Sequence, residues 1–107
     1  MRTSIFFLVV FGVAAIFASS AQVTEGVKLY ADKCASCHAT DGSGTTTRGK
    51  AMKVPDLRAP GIQQKTDDQL LDAIGRTNAH RGFRKSIGDD KLRMTIMHMR
   101  TFKKTAN

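Results

Sequence analysis

Five consecutive residues, Cys34-Ala35-Ser36-Cys37-His38, constrain this chain more than any other feature. A Cys-x-x-Cys pair followed directly by histidine is the pattern of covalent haem attachment. Each thiol can form a thioether bond to one haem vinyl group, and the histidine then falls beneath the iron as its proximal ligand. Other chemistries use cysteines at this spacing. A redox-active dithiol would sit in a βαβ pattern, and no strand-like alternation precedes Cys34. A structural zinc site needs two further ligands at a regular spacing, and His80 and His98 lie too far apart to resemble a finger. A plain Cys34–Cys37 disulfide stays open in an oxidising compartment.

The N-terminus points to such a compartment independently. Arg2 supplies a positive charge, residues 5–17 are almost wholly apolar, and Ala18-Ser19-Ser20-Ala21 is a run of small residues. This is the layout of a secretory signal peptide, and the apolar run is shorter than the roughly 20 residues a membrane-spanning helix needs. The expected boundaries are a leader over 1–21, cut before Gln22, and one domain over 22–107. Ala18 and Ser20 offer a neighbouring cleavage site, and an uncleaved anchor is the competing reading. Export to the periplasm suits covalent haem attachment, and no stable membrane anchor is expected after cleavage.

One domain of this size buries a modest core and usually needs a staple. A tethered haem would serve, giving helices a large apolar disc to pack around. Charge is the unusual part of the composition: Lys plus Arg number 17 against 9 Asp plus Glu, a net charge of +8. Such a surface favours an acidic partner, a phosphate-rich surface or an anionic membrane. A solvated basic face without a specific partner is the plainer alternative. Nucleic acid is not expected for an exported chain with no binding motif, and a monomer is.

Three helices are predicted around the motif. The first covers about 24–33, with Thr24 and Glu25 as start signals and Val27, Leu29 and Tyr30 as buried candidates; Gly26 would let another helix approach closely. A turn-rich loop follows over 40–47. The second helix starts at Thr66 as N-cap, with Asp67 and Asp68 favouring its positive end and Leu70, Leu71 and Ile74 as its apolar stripe. The last begins near Gly88 and runs to about residue 104, with Leu92, Ile96, Met99 and Phe102 at helical spacing. No strand is predicted, so the fold class is all-α.

With these residues in view the chain resembles a small class I cytochrome c. The resemblance rests on Gly26-x-x-x-Tyr30-x-x-x-Cys34-x-x-Cys37-His38, Asp41-Gly42-x-Gly44, Val54-Pro55-Asp56-Leu57 and a terminal helix with Met99-Arg100. It implies a bundle of about three main helices around one haem c and its iron. It further implies that Cys34 and Cys37 hold the haem, that His38 is the proximal ligand, and that the Pro55 carbonyl accepts a hydrogen bond from the His38 imidazole. His98 falls where relatives place an aromatic residue that packs against the first-helix glycine.

One departure from the family pattern carries information. Relatives place a Met-Pro pair between the last two helices, with the methionine as sixth iron ligand. Here the segment reads Asn78-Ala79-His80-Arg81-Gly82-Phe83, and no methionine occurs between Lys53 and Arg93. If Phe83 matches the loop phenylalanine, His80 occupies the methionine position. His80 is therefore the expected distal ligand, giving bis-histidine iron. A methionine of the last helix, Met97 before Met94 or Met99, and an open sixth site are the alternatives. A second imidazole should stabilise ferric iron and lower the reduction potential relative to Met/His ligation. The expected function is electron carriage between redox proteins with acidic docking surfaces, not enzymatic catalysis. A small subunit of a larger redox complex ranks next, and a haem sensor or peroxidase-like enzyme follows if the sixth site is open.

Overall fold

A computed structural model describes residues 17–102, with side-chain burial from Ser20 onward, and all regular structure among them is helical. The predicted leader core, apart from Phe17, and the tail lysines Lys103 and Lys104 lie outside the described residues.

Helix α1, Phe17–Lys33, begins earlier than its sequence signals imply. Thr24 is not a cap: its hydroxyl donates to the Ser20 carbonyl one turn back, at 3.0 Å, which satisfies it inside the helix. The buried face follows Gly26 and Tyr30, whereas Val27, expected inside, is 43% exposed. Helix α2, Ala35–His38, is a single turn that follows α1 after Cys34. Helix α3, Thr47–Met52, is capped by Thr46, whose hydroxyl accepts from Gly49 N–H at 2.9 Å. Helix α4, Pro60–Gln63, is a short turn opened by its proline.

Helix α5, Asp67–Arg76, starts where the sequence puts it, closed by a reciprocal capping box between Thr66 and Gln69 at 3.1 and 2.9 Å. A 3₁₀ turn, Asn78–His80, leads to helix α6, Phe83–Ser86. Helix α7, Asp89–Met99, buries Leu92, Thr95, Ile96 and Met99 and tightens into a 3₁₀ turn, Arg100–Phe102.

The core is Tyr30, Leu57, Leu70, Leu71, Leu92, Ile96 and Met99. At about 1.5–3 kcal/mol for each fully buried side chain, this is a small core for the helices it must order. α1 crosses α7, and α5 packs on α7. The crossing depends on Gly26, because a Cβ there would overlap the Met94 carbonyl oxygen. Met94 is accordingly half-buried, and the atoms nearest the glycine belong to the α7 backbone. His98 packs one turn further on, edge-on to Tyr30 at 5.2 Å and to Phe102 at 4.8 Å between ring centroids. Arg100 fastens the end of α7, donating to the carbonyls of Gln63 and Lys65 and to Asp67 Oδ1.

Candidate functional site

α2 holds the Cys-x-x-Cys-His run in one compact turn. The Cys34 carbonyl accepts from both Cys37 and His38 N–H, at 3.2 and 2.9 Å. Thr46 clamps the same turn from α3, its hydroxyl within hydrogen-bond distance of the Ser36 and Cys37 carbonyls at 2.9 and 3.0 Å. Gly49 lets α3 lie flat on the turn, since a Cβ there would overlap the Cys37 carbonyl oxygen. His38 is consequently 8% exposed.

Both thiols are free. Burial, with a smaller push from Cys37, raises the Cys34 pKa to about 11. A redox dithiol needs a depressed pKa to supply thiolate, so Cys34 is unsuited to that chemistry. His98, the other candidate zinc ligand, lines neither hollow at the motif and is packed on Tyr30 and Phe102.

Above the motif the core side chains wall a cavity of about 290 Å³, lined by Tyr30, Leu57, Leu70, Leu92 and Met99 and reaching Cys34, His38 and His80. A second hollow of about 290 Å³ lies beside Cys37, Lys33 and Arg48, and it also reaches Cys34, His38 and His80. The two histidines thus border both hollows. Their rings face each other, 6.1 Å between centroids and 34° between planes. Metal–imidazole bonds run about 2.0–2.1 Å; with a ring radius added on each side, two imidazoles sharing one metal have centres about 6 Å apart. The pair is spaced to sandwich an iron, and a flat group between the rings would extend into both hollows.

The electrostatics agree. Burial, then the neighbouring His80, lowers the His38 pKa, against an upward pull from the Pro55 carbonyl. Burial lowers that of His80, against an upward pull from the Ile74 carbonyl. Both rings are therefore neutral at neutral pH, the form that binds metal. In each, Nδ1 is enclosed without a closed hydrogen bond, which leaves Nε2 as the nitrogen for iron. Phe83 stacks on His80, 5.2 Å away and 26° from parallel.

The arrangement of two free thiols, a facing imidazole pair and a largely apolar double hollow matches a covalently tethered haem. The family model described as Cytochrome c matches residues 23–106. This chain belongs to the cytochrome c family. Neither a curated protein nor a solved structure matches it. As a cytochrome c it is a haem-binding electron carrier whose cofactor is covalent haem c with its iron. Proteins of this family are usually carriers rather than enzymes, and typically exported. Among the described residues no helix is long and apolar enough to cross a membrane.

Of the residues singled out in the sequence, Cys34, His38, Pro55 and His80 line the main cavity, and Cys37 lines the second hollow. Thr46 and Gly49 beside the attachment turn, and the Ile74 carbonyl beside His80, are neighbours of the site that the sequence reading did not single out. Thr46-x-x-Gly49 carries a cap signal that the surrounding threonine run hides. Nothing in the sequence marks a main-chain carbonyl.

Proposed function

We propose that this cytochrome is an exported, soluble one-electron carrier in which Cys34 and Cys37 tether the haem while His38 and His80 are its two axial ligands. The observation that carries the reading is the facing of the two imidazoles at 6.1 Å across a cavity that also reaches the Cys34 thiol. Haem supplies the one-electron couple. The chain's own residues hold the couple and set its surroundings. His38 is fixed by the α2 turn, with the Pro55 carbonyl beside its ring, and His80 is brought opposite it by the 3₁₀ turn. The core leucines that line the cavity would exclude water from the bound group.

Two fixed nitrogen ligands, His38 and His80, would keep structural change between oxidation states small. They also favour ferric iron more than a thioether would, so the potential should lie below that of Met/His relatives. On this reading residues 1–21 are a leader removed on export to the periplasm, and 22–107 the mature monomer.

Surface charge supports an acidic redox partner. Glu25, Asp41, Asp56, Asp67, Asp68, Asp72 and Asp89 are each ion-paired with a lysine or arginine of the same chain. Arg84 is neutralised in this way by Asp89. Lys33, Arg48 and Lys53 line the hollows and make no ion pair among the described residues. Positive charge is left uncompensated at the mouth of the site, where it would steer an acidic protein into a short-lived complex.

Ferric-state spectroscopy of the haem-loaded protein tests the ligation. The expected result is a low-spin electron paramagnetic resonance signal without the near-infrared methionine–iron band, lost in His80→Ala. A methionine band would remove His80 from the iron. A high-spin signal would favour a sensor or peroxidase-like enzyme. A protein recovered only in a larger redox assembly would make it a subunit instead of a free carrier.

A further inference from the structure

The two facing histidines share a feature beyond their spacing. Each has an enclosed Nδ1 with no closed hydrogen bond, and each has one main-chain carbonyl beside its ring: Pro55 for His38 and Ile74 for His80. Pro55 is the acceptor that the family resemblance implies for His38. Nothing in the family pattern supplies a counterpart on the other side, where relatives carry a thioether that has no proton to donate.

The Ile74 carbonyl is available for reasons of chain geometry. It lies in the last turn of α5, where carbonyls lack a further helical donor. Thr77, at ψ 128, leaves the helix there, and its N–H reaches the Ile74 oxygen only at 3.4 Å, long for an N–H···O bond. A carbonyl oxygen has two lone pairs, so acceptor capacity remains. The chain then turns back on itself: His80 N–H donates to the Thr77 carbonyl at 2.9 Å. That turn returns the His80 ring to the wall of the cavity that Ile74 also lines.

We infer that, with haem bound, the Ile74 main-chain carbonyl accepts a hydrogen bond from His80 Nδ1–H and is the distal positioning group of this cytochrome. The inference rests on the reading of His80 as the sixth ligand. Such a bond fixes the tautomer with the Nε2 lone pair free for iron, stops the ring from rotating, and makes the imidazole a stronger donor. It would also hold a ligand whose own segment is exposed, since Thr77, Asn78, Ala79, Arg81 and Gly82 all face solvent.

The test replaces His80 in the full haem-loaded protein by Nδ1-methylhistidine, which keeps Nε2 and removes the donor. The expected result is a low-spin spectrum with an upward shift of the midpoint potential, and displacement of the ligand by cyanide at about 10–100-fold lower concentration. In the unmodified protein the His80 Nδ1 proton should give a hyperfine-shifted resonance that exchanges slowly with water. Ile74→Val, which keeps the carbonyl, should leave the potential in place. A bis-histidine spectrum together with a rapidly exchanging Nδ1 proton would overturn the inference, even if the methyl group dislodged the ring. A low-spin methylated protein with unmoved potential would overturn it equally. A methionine band or a high-spin signal in the unmodified protein would instead overturn His80 ligation itself.

Discussion

The two sides of the haem site are built by different means. His38 sits in a turn gripped from three directions: the Cys34 carbonyl below it, the Thr46 hydroxyl across it, and the Gly44 N–H, which donates to its own carbonyl at 2.8 Å. His80 sits on a segment whose backbone hydrogen bonds span only three or four residues: His80 to Thr77, Arg81 to Asn78 and Ser86 to Gly82. Its wider supports are the Phe83 ring and the Arg84–Asp89 ion pair, the latter well exposed. Exposed surface pairs contribute about 0–1 kcal/mol, so the distal segment belongs to the low-stability end of the molecule. The contrast teaches a division of labour. On the proposed ligation, the proximal side would make attachment permanent, and the distal side would set the potential and could be changed without losing the cofactor.

The sharpest break of that comparison swaps the two histidines for alanine. His38→Ala should abolish mature haem protein, read as loss of the haem absorbance in purified material. His80→Ala should keep the covalent haem and turn the ferric spectrum high-spin. Equal loss in both would end the division of labour.

Two glycines give the next contrast. Gly49→Ala forces a Cβ onto the Cys37 carbonyl and should cost about 1–3 kcal/mol in thermal or denaturant unfolding. Gly82→Ala meets open space and bears only the cost of its positive φ of 84°, about 1–2 kcal/mol, with the change felt mainly as easier ligand exchange at iron.

Acidity should distinguish the sides as well. Burial depresses the pKa of His38, His80 and His98 below the ordinary 6.5. In the haem-free chain, the stability contributed by the neutral rings is fully present above about pH 6.5 and is lost as pH falls through the depressed folded values. Because His80 sits on the looser segment, an acid titration followed by absorbance should lose distal ligation before secondary structure. Simultaneous loss would mean the distal segment is as firmly held as the rest. Phe83→Ala removes a stacked ring worth about 0.5–1.5 kcal/mol and should speed displacement of the sixth ligand by imidazole while leaving helix content unchanged. The smallest effect on stability is expected from Arg48→Glu, which should leave melting within about 0.5 kcal/mol. It should nonetheless slow electron transfer to an acidic partner and flatten its salt dependence.

Local chemistry was readable in the chain; its tertiary partners were not. The Thr66 N-cap, the Cys-x-x-Cys-His run and the α7 stripe of Leu92, Ile96 and Met99 depend on neighbours within a few residues, and each is where the sequence puts it. α3 and α6 are too short to display a period, and α3 is hidden in a threonine-rich run that reads as loop. Val27 has the spacing of a core residue, yet it faces solvent because the α1–α7 crossing is centred on Gly26 and Tyr30. Met94 is half-buried for the same reason. The placement of His80 opposite His38 followed from matching Phe83 to a family landmark, while its spacing and supporting carbonyl depend on how α5 ends.

The crossing of α1 and α7 at Gly26 and Met94 has a consequence for the order of assembly. It joins the two ends of the described chain, so α3, the Pro55 segment, α5 and the His80 turn all hang inside one long closed loop. The entropy of closing such a loop grows only slowly with its length, and the two helices can meet before the slack between them is organised. Cys34, Cys37 and His38 lie directly after α1 and need little of that slack, whereas His80 needs nearly all of it. A newly made chain can therefore take on its haem as a half-built molecule, with the second side closing afterwards as a separate kinetic event.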